Sequence, residues 1–570
     1  MPNSSNRRIM HLRLLIFCSL LYVANKGAFS SPVSGAQSEE DDLIVELENL
    51  GKIRGHILQS SDGNDFYAFQ DVPYGESTAG SNRFKPSKPR GPWEGVLNAT
   101  ENKKMCPQAS FMNNYLKSDS DLTEDCLVLN VYTPIKPSSG KSLPIYFWIH
   151  GGAFIVGSGS IDSFDPKYLI DYDIVIVTIN YRLGAFGFLT TLDDSIPGNL
   201  GLKDQLLALK WVHEHIHKFG GDPKQITVGG ESAGSMSTGF QLLSRAAKGL
   251  FSGIIQQSGS PLAGFFYPSN DRDRAFEFGK TLNSSFTSTK SSDLLELLQQ
   301  ASYSDLLDIQ NKFAPGGSVG FIDALVYKPV LEDENNDDAF VTAPMHGAVL
   351  EGNFNLVPLL LGINSEEALF FLNQMQNATL EERAKSYDKS PSNLVAESLN
   401  VAEEDRETVG NSLKGIYNFS SFVEDRNAFV KYTSDEAFTR SIIRQAESAS
   451  RYVPVYLYEL SWLPENSTEM GVPHAADLWY FWGGRGSPFD PNNESLRKPL
   501  LKLWTNFIKY QNPTPESDEE LQNVIWPAVK PDAVKYLDLN TQFTVQENPR
   551  NYYSFKSLLD QYIHPPYISY

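Results

Sequence analysis

The sequence predicts an α/β fold in which a large, mostly parallel sheet is covered by helices on both faces. Several short runs are uniformly apolar instead of alternating, which is typical of strands buried on both faces. Helical spacing separates some of these runs, most clearly over 200–218, so strands and helical crossovers follow one another. The predicted buried strands are 127–132, 144–149, 173–180, 226–228, 252–259, 357–362 and 454–460.

Smaller units and insertions are predicted outside these strands. Residues 43–47 and 51–58 are expected to form an antiparallel hairpin region, followed by a glycine- and proline-rich loop from 64 to 92. Residues 265–350 and 375–450 are mostly helical in pattern and are interpreted as insertions. No internal repeat or linker interrupts the chain, so 31–570 is expected to be a single domain.

The first 30 residues have the organisation of a secretory signal peptide. Arg7, Arg8 and Arg13 precede an apolar run over 14–24, and a cleavage site follows at 28–30. The apolar run is too short to span a bilayer, and no later segment is apolar over the length that a membrane helix requires. We therefore expect a secreted, extracellular protein without a membrane anchor.

The net charge limits which partners the protein can bind, and the cysteine content indicates the cellular compartment. The formal net charge of −21 argues against nucleic acid or an anionic membrane surface as a partner. Loss of the signal removes Cys18, and the remaining Cys106 and Cys126 are expected to form one disulfide that contributes about 3 kcal/mol. N-glycosylation sequons fit the same compartment and lie at Asn98, Asn283, Asn377, Asn418, Asn466 and Asn493.

The stretch 226–243 has the pattern of a strand, a sharp turn and a helix. The turn reads Gly230-Glu231-Ser232-Ala233-Gly234, which is typical of a nucleophile elbow that holds a serine hydroxyl above a sheet. Glycines stand two residues before and after Ser232, because side chains there would collide with the neighbouring strand and helix. Ser232 is therefore the candidate nucleophile.

A serine nucleophile also requires a base and an acid. Among the nine histidines, His474 follows a late apolar strand, which is where this fold is expected to place its base. The acid is expected between the serine and the histidine in chain order. Glu366 and Glu367, which follow the strand 357–362, both qualify on spacing.

Two further patterns in the sequence resemble catalytic or metal-binding motifs. The run His150-Gly151-Gly152-Ala153 is typical of an oxyanion-hole loop, whose backbone N–H groups would act together with that of Ala233. The run His213-Glu214-His215-Ile216-His217 matches the H-E-x-x-H pattern of zinc proteases. No third metal ligand is evident, so a solvated helix face is the favoured interpretation of this second run.

Six ordered motifs extend over nearly the whole chain after the signal. They are Glu124-Asp125-Cys126-Leu127-x-Leu129-Asn130, His150-Gly151-Gly152-Ala153-Phe154, Asn180-Tyr181-Arg182-Leu183-Gly184, Gly198-Asn199-x-Gly201-Leu202-x-Asp204-Gln205, Phe219-Gly220-Gly221-Asp222-Pro223 and the elbow at 230–234. With these motifs the chain resembles the type-B carboxylesterase/cholinesterase family of α/β-hydrolases, and most of all the secreted carboxylesterases of insects and other arthropods.

The resemblance implies roles for individual residues. It puts the nucleophile on Ser232 and the base on His474, and the family's G-x-N-x-x-E pattern puts the acid on Glu367. It also implies a Cys106–Cys126 disulfide. The other implied residues are oxyanion donors at Gly152, Ala153 and Ala233, a structural ion pair between Arg83 and Glu124, and a supporting shell of Glu231, Ser258 and Asp477.

Several positions depart from the family pattern. Ala368 follows the acid where glycine is usual, and Ala153 replaces a third glycine in the oxyanion loop. The family's second disulfide has no cysteines here. Cholinesterases hold a quaternary ammonium on a tryptophan in the disulfide loop, but this loop has only Phe111 and Tyr115, which argues against choline esters. Juvenile-hormone esterases usually have glutamine at the position of Glu231.

These features predict a serine carboxylesterase that hydrolyses small-molecule carboxylic esters through an acyl-enzyme, without a cofactor or metal. One alternative is a non-catalytic adhesion or binding protein, because some family members keep the fold and have lost triad residues. The filled positions Ser232, Glu367 and His474 favour an enzyme over that alternative. A lipase acting on acylglycerols differs only in pocket shape, and xenobiotic, pheromone or odorant, hormone and lipid esters are all compatible with the motifs.

Overall fold

The computed structural model describes residues 43–108, 122–137, 139–266, 270–313, 325–336, 338–373, 375, 377–465, 467–483 and 494–570. The chain divides into two units, Met1–Leu43 and Ile44–Tyr570, and the elements below belong to the second. The predicted signal peptide, 1–30, lies outside the described residues.

Fourteen strands are found in the described part of the chain. They are β1 (Ile44–Leu47), β2 (Gly51–Arg54), β3 (His56–Gln59), β4 (Asp65–Pro73), β5 (Val96–Asn98), β6 (Val128–Thr133), β7 (Leu143–Ile149), β8 (Val175–Ile179), β9 (Gly221–Glu231), β10 (Gly253–Gln257), β11 (Leu359–Asn364), β12 (Val455–Leu460), β13 (Lys535–Leu539) and β14 (Thr544–Glu547). Eleven of them form one sheet in the order β14-β13-β12-β11-β10-β9-β7-β8-β6-β4-β3, and β1, β2 and β5 form a second sheet.

The centre of the large sheet is parallel and its edges are antiparallel. The six consecutive pairings from β13 to β8 run parallel, whereas β14 and the strands β6, β4 and β3 add antiparallel pairs. The predicted large, mostly parallel sheet is therefore confirmed for the strands that lead into the candidate site. Because the strands are parallel, the loops after β9, β11 and β12 emerge at the same edge.

Helices surround this sheet. In the described residues they are α1 (Gly184–Phe188), α2 (Leu200–His215), α3 (Ala233–Leu243), α4 (Asp271–Leu282), α5 (Ser291–Gln300), α6 (Tyr303–Phe313), α7 (Met345–Glu351), α8 (Leu369–Leu372), α9 (Asn377–Lys389), α10 (Arg406–Tyr417), α11 (Arg426–Ser434), α12 (Arg440–Ala449), α13 (Leu478–Phe481), α14 (Glu494–Tyr510) and α15 (Tyr552–Tyr562). A π-helix, Asp435–Thr439, joins α11 to α12.

Adjacent side chains of the central strands enter two different apolar cores. In β7, Ile145, Phe147 and Ile149 belong to one buried cluster, whereas Tyr146 and Trp148 belong to the other. Successive side chains of a strand point to opposite faces of a sheet. Both faces are therefore covered, which explains why these strands read as continuous apolar runs.

The predicted loop from 64 to 92 is wrong in its first part. Residues Asp65–Pro73 form β4, which pairs with β3 and β6. The register of β4 shifts between Phe69 and Val72, and Asp71 at this bulge has φ 53°. The bulge breaks the regular alternation of apolar residues, and the strand ends at Pro73. The sequence of this segment therefore lacks the alternating pattern that would indicate a strand.

The C-terminal strands β13 and β14 were not predicted. Both are short, and most of their residues are partly or fully exposed. Short, half-polar edge strands carry little periodicity to detect. They matter here because the turn that follows β14 carries Arg550, whose side chain reaches the candidate site.

Candidate active site

Ser232 lies at the turn between β9 and α3, as the elbow pattern predicts. Its backbone has φ 58° and ψ −124°, outside the regions that non-glycine residues usually occupy. The N–H of Ser232 donates to Gln257 O at 2.9 Å, and its own carbonyl accepts from Met236 N at 2.9 Å. The strained turn is thus fixed on both sides, and the residue remains 8% exposed.

The two flanking glycines are required by close backbone contacts. A Cβ on Gly234 would lie 2.0 Å from Ile149 O, and one on Gly230 would lie 2.5 Å from the carbonyl carbon of Gly234. Real Cβ atoms do not approach backbone atoms this closely. The elbow therefore needs glycine at both positions, in agreement with the sequence argument.

Glu367 lies in the turn after β11 and faces His474. Its Oε2 lies 2.7 Å from His474 Nδ1, and its Oε1 accepts from Asn364 N at 2.7 Å. Its side chain is fully buried. Glu366 instead pairs with Arg550, so the geometry separates the two glutamates that spacing left equal.

His474 lies in the loop after β12, with its Nε2 atom at the elbow. Glu231, the residue before Ser232, places Oε1 at 3.1 Å from Nε2. Phe371 and Phe438 pack on the imidazole, with ring centroids 5.2 and 4.7 Å away. The ring is therefore held between two carboxylates in largely apolar surroundings.

These carboxylates decide the protonation of the imidazole. Burial alone would lower the pKa of His474, but Glu231, Glu367 and Asp477 together outweigh burial and raise this pKa above its usual value of 6.5. The physical reason is that a proton on Nε2 would face the carboxylate of Glu231 at 3.1 Å, whereas a lone pair there would face the same negative charge.

The predicted oxyanion loop lies against the elbow. A Cβ on Gly151 would come within 3.0 Å of Ser232 Cβ. Tyr181 fixes the start of this loop, because its hydroxyl donates to His150 O at 2.9 Å and its ring stacks on His150. A Cβ on Gly152 would meet Val156 O at 2.1 Å, so glycine is required there.

Three backbone N–H groups at this point have no acceptor among the residues that the structure describes. Within the described residues, Gly152, Ala153 and Ala233 donate no backbone hydrogen bond. Ala153 has φ 56°, a left-handed conformation that a non-glycine residue adopts only when its surroundings impose it. Such unpaired donors next to a serine could stabilise a developing oxyanion.

The predicted supporting residues differ in what they contact. Glu231 reaches His474 directly. Asp477 is buried and accepts from Gln257 Nε2 at 2.7 Å and from the Tyr458 hydroxyl at 3.1 Å, and burial raises its pKa. The hydroxyl of Ser258 is buried and has no hydrogen-bond partner in the described part of the chain.

Two structural links implied by the family resemblance are confirmed. Cys106 and Cys126 form a disulfide across a separation of 20 residues. Arg83 makes a two-pronged pair with Glu124, with Nε–Oε1 and Nη2–Oε2 distances of 2.6 Å, and both side chains are buried. Phe111 and Tyr115, the aromatic residues of the disulfide loop, lie outside the described residues.

The histidine run before the elbow does not lie on one continuous α-helix. Helix α2 ends at His215 and a 3-10 turn, Ile216–Phe219, follows, so His217 belongs to a different turn type from His213. His215 packs on Trp211 and is buried. No group of three or more histidine, cysteine, aspartate or glutamate side chains in the described residues could hold a metal ion.

Three of the six sequon asparagines are exposed in the described part of the chain. Asn98 lies in β5, Asn283 follows α4, and Asn418 follows α10. The side chain of Asn377 and the whole of Asn466 and Asn493 lie outside the described residues. No helix among those described is long and apolar enough to cross a membrane.

Comparison with known proteins places this site in a family. The Carboxylesterase family model matches residues 41–555. The chain is 31% identical over 532 residues to "Juvenile hormone esterase" of Tribolium castaneum, which covers 86% of this chain and 87% of that protein. It is 30% identical over 520 residues to "Para-nitrobenzyl esterase" of Bacillus subtilis (strain 168), with coverage of 89% and 97%.

A solved structure agrees with this placement. "Crystal Structure of Juvenile Hormone Esterase from Manduca sexta, with OTFP covalently attached" matches with a TM-score of 0.79 and 27% sequence identity, and covers 91% of this chain and 99% of that chain. The fold is that of the α/β-hydrolase esterases. The chain belongs to the carboxylesterase family, and its relatives named as esterases support a carboxylic ester hydrolase.

Proposed function

We propose that this chain is a secreted serine carboxylesterase that hydrolyses small-molecule carboxylic esters through an acyl-enzyme on Ser232. The observation that carries the proposal is the buried pair of Glu367 and His474, 2.7 Å apart, with the other imidazole nitrogen at the elbow of Ser232. The covalent attachment of OTFP in the Manduca sexta relative supports a nucleophilic step in this fold.

In the proposed acylation step each group has a separate task. The Ser232 hydroxyl attacks the ester carbonyl while His474 Nε2 accepts its proton, and Glu367 stabilises the resulting imidazolium through Nδ1–H. The N–H groups of Gly152, Ala153 and Ala233 donate to the oxyanion, and each such donor contributes about 3 to 4 kcal/mol. His474 then protonates the leaving alcohol.

Deacylation repeats the route with water as the nucleophile. His474 takes a proton from water, the hydroxide attacks the acyl-enzyme, and Ser232 leaves with the proton returned by the imidazole.

Aromatic rings surround the catalytic histidine. Phe438 packs on the imidazole of His474, and Phe265 packs on Phe438 at a centroid distance of 5.9 Å. Apolar rings lower the local dielectric, so the charges of the triad act more strongly there than in water.

Covalent labelling tests this proposal. A dialkyl organophosphate should form one phosphorus–oxygen bond to Ser232 with loss of its leaving group, and ester hydrolysis should fall in step with labelling. The tryptic peptide 225–245 also contains Ser235, Ser237 and Ser244, so fragment ions must locate the adduct. Labelling confined to other residues, with activity lost, would refute Ser232 as the nucleophile.

Removing the charge of Glu231 should displace the pH profile. In Glu231→Gln the histidine loses an anion that favours its protonated form, so the pKa of His474 should fall. The base is active when neutral, and the acid limb of the kcat/KM profile should therefore move to lower pH. Rates from pH 4 to 9 measure this limb, and an unmoved or upward-shifted limb contradicts the electrostatic role given to Glu231.

The secreted location is part of the proposal and rests on the N-terminal pattern. The disulfide and the exposed sequon residues Asn98, Asn283 and Asn418 support an oxidising secretory compartment. Expression of the full chain in a eukaryotic secretory host provides the test. Medium should contain a glycosylated protein whose first residue lies near Ser31, and retention of residues 1–30 on the product would contradict the assignment.

A further inference from the structure

We propose that Arg550 is a positioning residue that fixes the loop carrying Glu367 and, through Asp435, the π-helix that packs on the imidazole of His474. The inference rests on the proposed function, because Glu367 needs a fixed position only if it serves as the acid. Arg550 lies 183 residues after Glu367 in sequence and belongs to none of the motifs that define the family resemblance.

The guanidinium of Arg550 holds the two residues before Glu367. Its Nη1 donates to Ser365 O at 2.6 Å and to Glu366 Oε1 at 3.0 Å, and its Nη2 donates to Glu366 Oε2 at 3.3 Å. One contact is to the main chain and the others are to a side chain. Arg550 thus fixes the loop through a main-chain carbonyl as well as through a side-chain carboxylate.

Ser434 holds the residue after Glu367. The N–H of Ala368 donates to Ser434 Oγ at 3.1 Å, and Ser434 Oγ lies 3.1 Å from Glu366 Oε2. Ala368 has φ −65°, an ordinary helical value, which explains why the usual glycine is not needed. Glu367 is therefore held on both sides.

Hydrogen bonds join this acid loop to the loop that carries His474. Glu366 N donates to Val472 O at 2.9 Å, Val472 N donates to Ser365 Oγ at 2.9 Å, and His474 N donates to Glu367 O at 3.3 Å. The two loops form one hydrogen-bonded unit. A group that anchors the acid loop consequently also sets the distance between Glu367 and the imidazole.

The same guanidinium reaches the π-helix. Arg550 Nε donates to Asp435 Oδ1 at 2.7 Å, and Asp435 is the first residue of the π-helix, Asp435–Thr439. Phe438, in that helix, lies 4.7 Å from the imidazole of His474 between ring centroids. π-Helical turns are rare and often occur at functional sites. Arg550 therefore links two elements that meet at His474.

Burial makes this link depend on a cation. The side chain of Arg550 is 7% exposed and that of Asp435 is fully buried. Glu459 is a further carboxyl group near the guanidinium, and burial raises its pKa to about 7, with Asp538 adding to the rise. Loss of the cation would leave these carboxylates close together without compensation. Arg550 also has φ 55°, a left-handed conformation that persists only when the surrounding contacts determine it.

Two variants and one matched control test the inference in the full chain. Arg550→Met removes the positive charge. Arg550→Lys keeps the charge but loses the planar guanidinium that donates several hydrogen bonds at once. Arg444→Met is the control, because Arg444 is equally buried and binds Glu447 and Asp560, and within the described residues it makes no hydrogen bond or ion pair to the loop 365–368. Hydrolysis of a short-chain chromogenic ester is measured per organophosphate-titrated site, below the unfolding temperature of each protein.

Arg550→Met should lower kcat by about ten- to a hundredfold with little change in KM, because misplaced groups slow chemistry more than binding. The acid limb of kcat/KM should also move to lower pH, since Glu367 recedes from the imidazole while Glu231 and Asp477 still face it. Arg550→Lys should recover part of kcat. Arg444→Met should lose stability while its kcat and acid limb stay at wild-type values.

Each outcome decides the inference. Wild-type kcat and acid limb in folded Arg550→Met would overturn it, as would equal effects in Arg444→Met. If Arg550→Met does not fold, Arg550→Lys decides: a lower kcat at unchanged KM with a displaced limb supports positioning, and a wild-type kcat refutes it. The proposed function fails separately, if Ser232→Ala hydrolyses the ester as fast as the wild type.

Discussion

Ser232→Ala should lower kcat for ester hydrolysis by roughly 10⁴- to 10⁶-fold, as removal of a triad nucleophile does in other serine hydrolases. The fold should survive, because the elbow is fixed by main-chain bonds from Ser232 N to Gln257 O and from Met236 N to Ser232 O. Turnover of short, medium and long acyl esters, measured beside the wild type, gives the result and also the acyl preference.

Ser237→Ala is the matched control for that experiment. Ser237 is a fully buried serine on the same helix α3, and its hydroxyl accepts from Gln205 Nε2 at 3.0 Å. Losing this bond should cost about 1 kcal/mol of stability and leave most of the turnover. Equal turnover in Ser232→Ala and the wild type would exclude Ser232 as the nucleophile.

Glu367→Gln should lower kcat by about 10³- to 10⁴-fold, because a neutral amide no longer stabilises the imidazolium or fixes its tautomer. The bond at stake is the 2.7 Å contact between Glu367 Oε2 and His474 Nδ1. The variant also removes one of the anions that raise the pKa of His474, so the acid limb should lie at lower pH than in the wild type.

Glu366→Gln provides the matched control one residue earlier. The chemical change is the same, but Glu366 faces Arg550 and Ser434 instead of the histidine. An amide there keeps an acceptor for Arg550, so the loss of kcat should be far smaller than in Glu367→Gln. A similar loss of kcat in both variants would contradict the assignment of Glu367, and not Glu366, as the acid.

Local chemistry explains why the nucleophile region could be predicted from sequence. A strained serine between a buried strand and a helix needs glycines two residues away on each side, and the contacts of Gly230 and Gly234 show why. The buried strands were equally predictable, because burial on both faces leaves continuous apolar runs such as 175–179.

Long-range contacts explain what the sequence could not supply. Spacing left Glu366 and Glu367 equal, and only the family resemblance chose between them. The choice is physical in the structure: Glu367 points to His474, and Glu366 points to Arg550. No local pattern marks Arg550, because its role depends on partners at 365–366 and 435 that are remote along the chain.

The sequence by itself determined the layered α/β architecture, the elbow at Ser232 and the disulfide pair, since each follows from burial periodicity, backbone strain or a short closed loop. Only the tertiary structure decided which carboxylate faces the histidine and that a C-terminal arginine holds that carboxylate's loop. The reason is that charge pairing depends on distance in space, and residues separated by more than a hundred positions meet only after the sheet has formed.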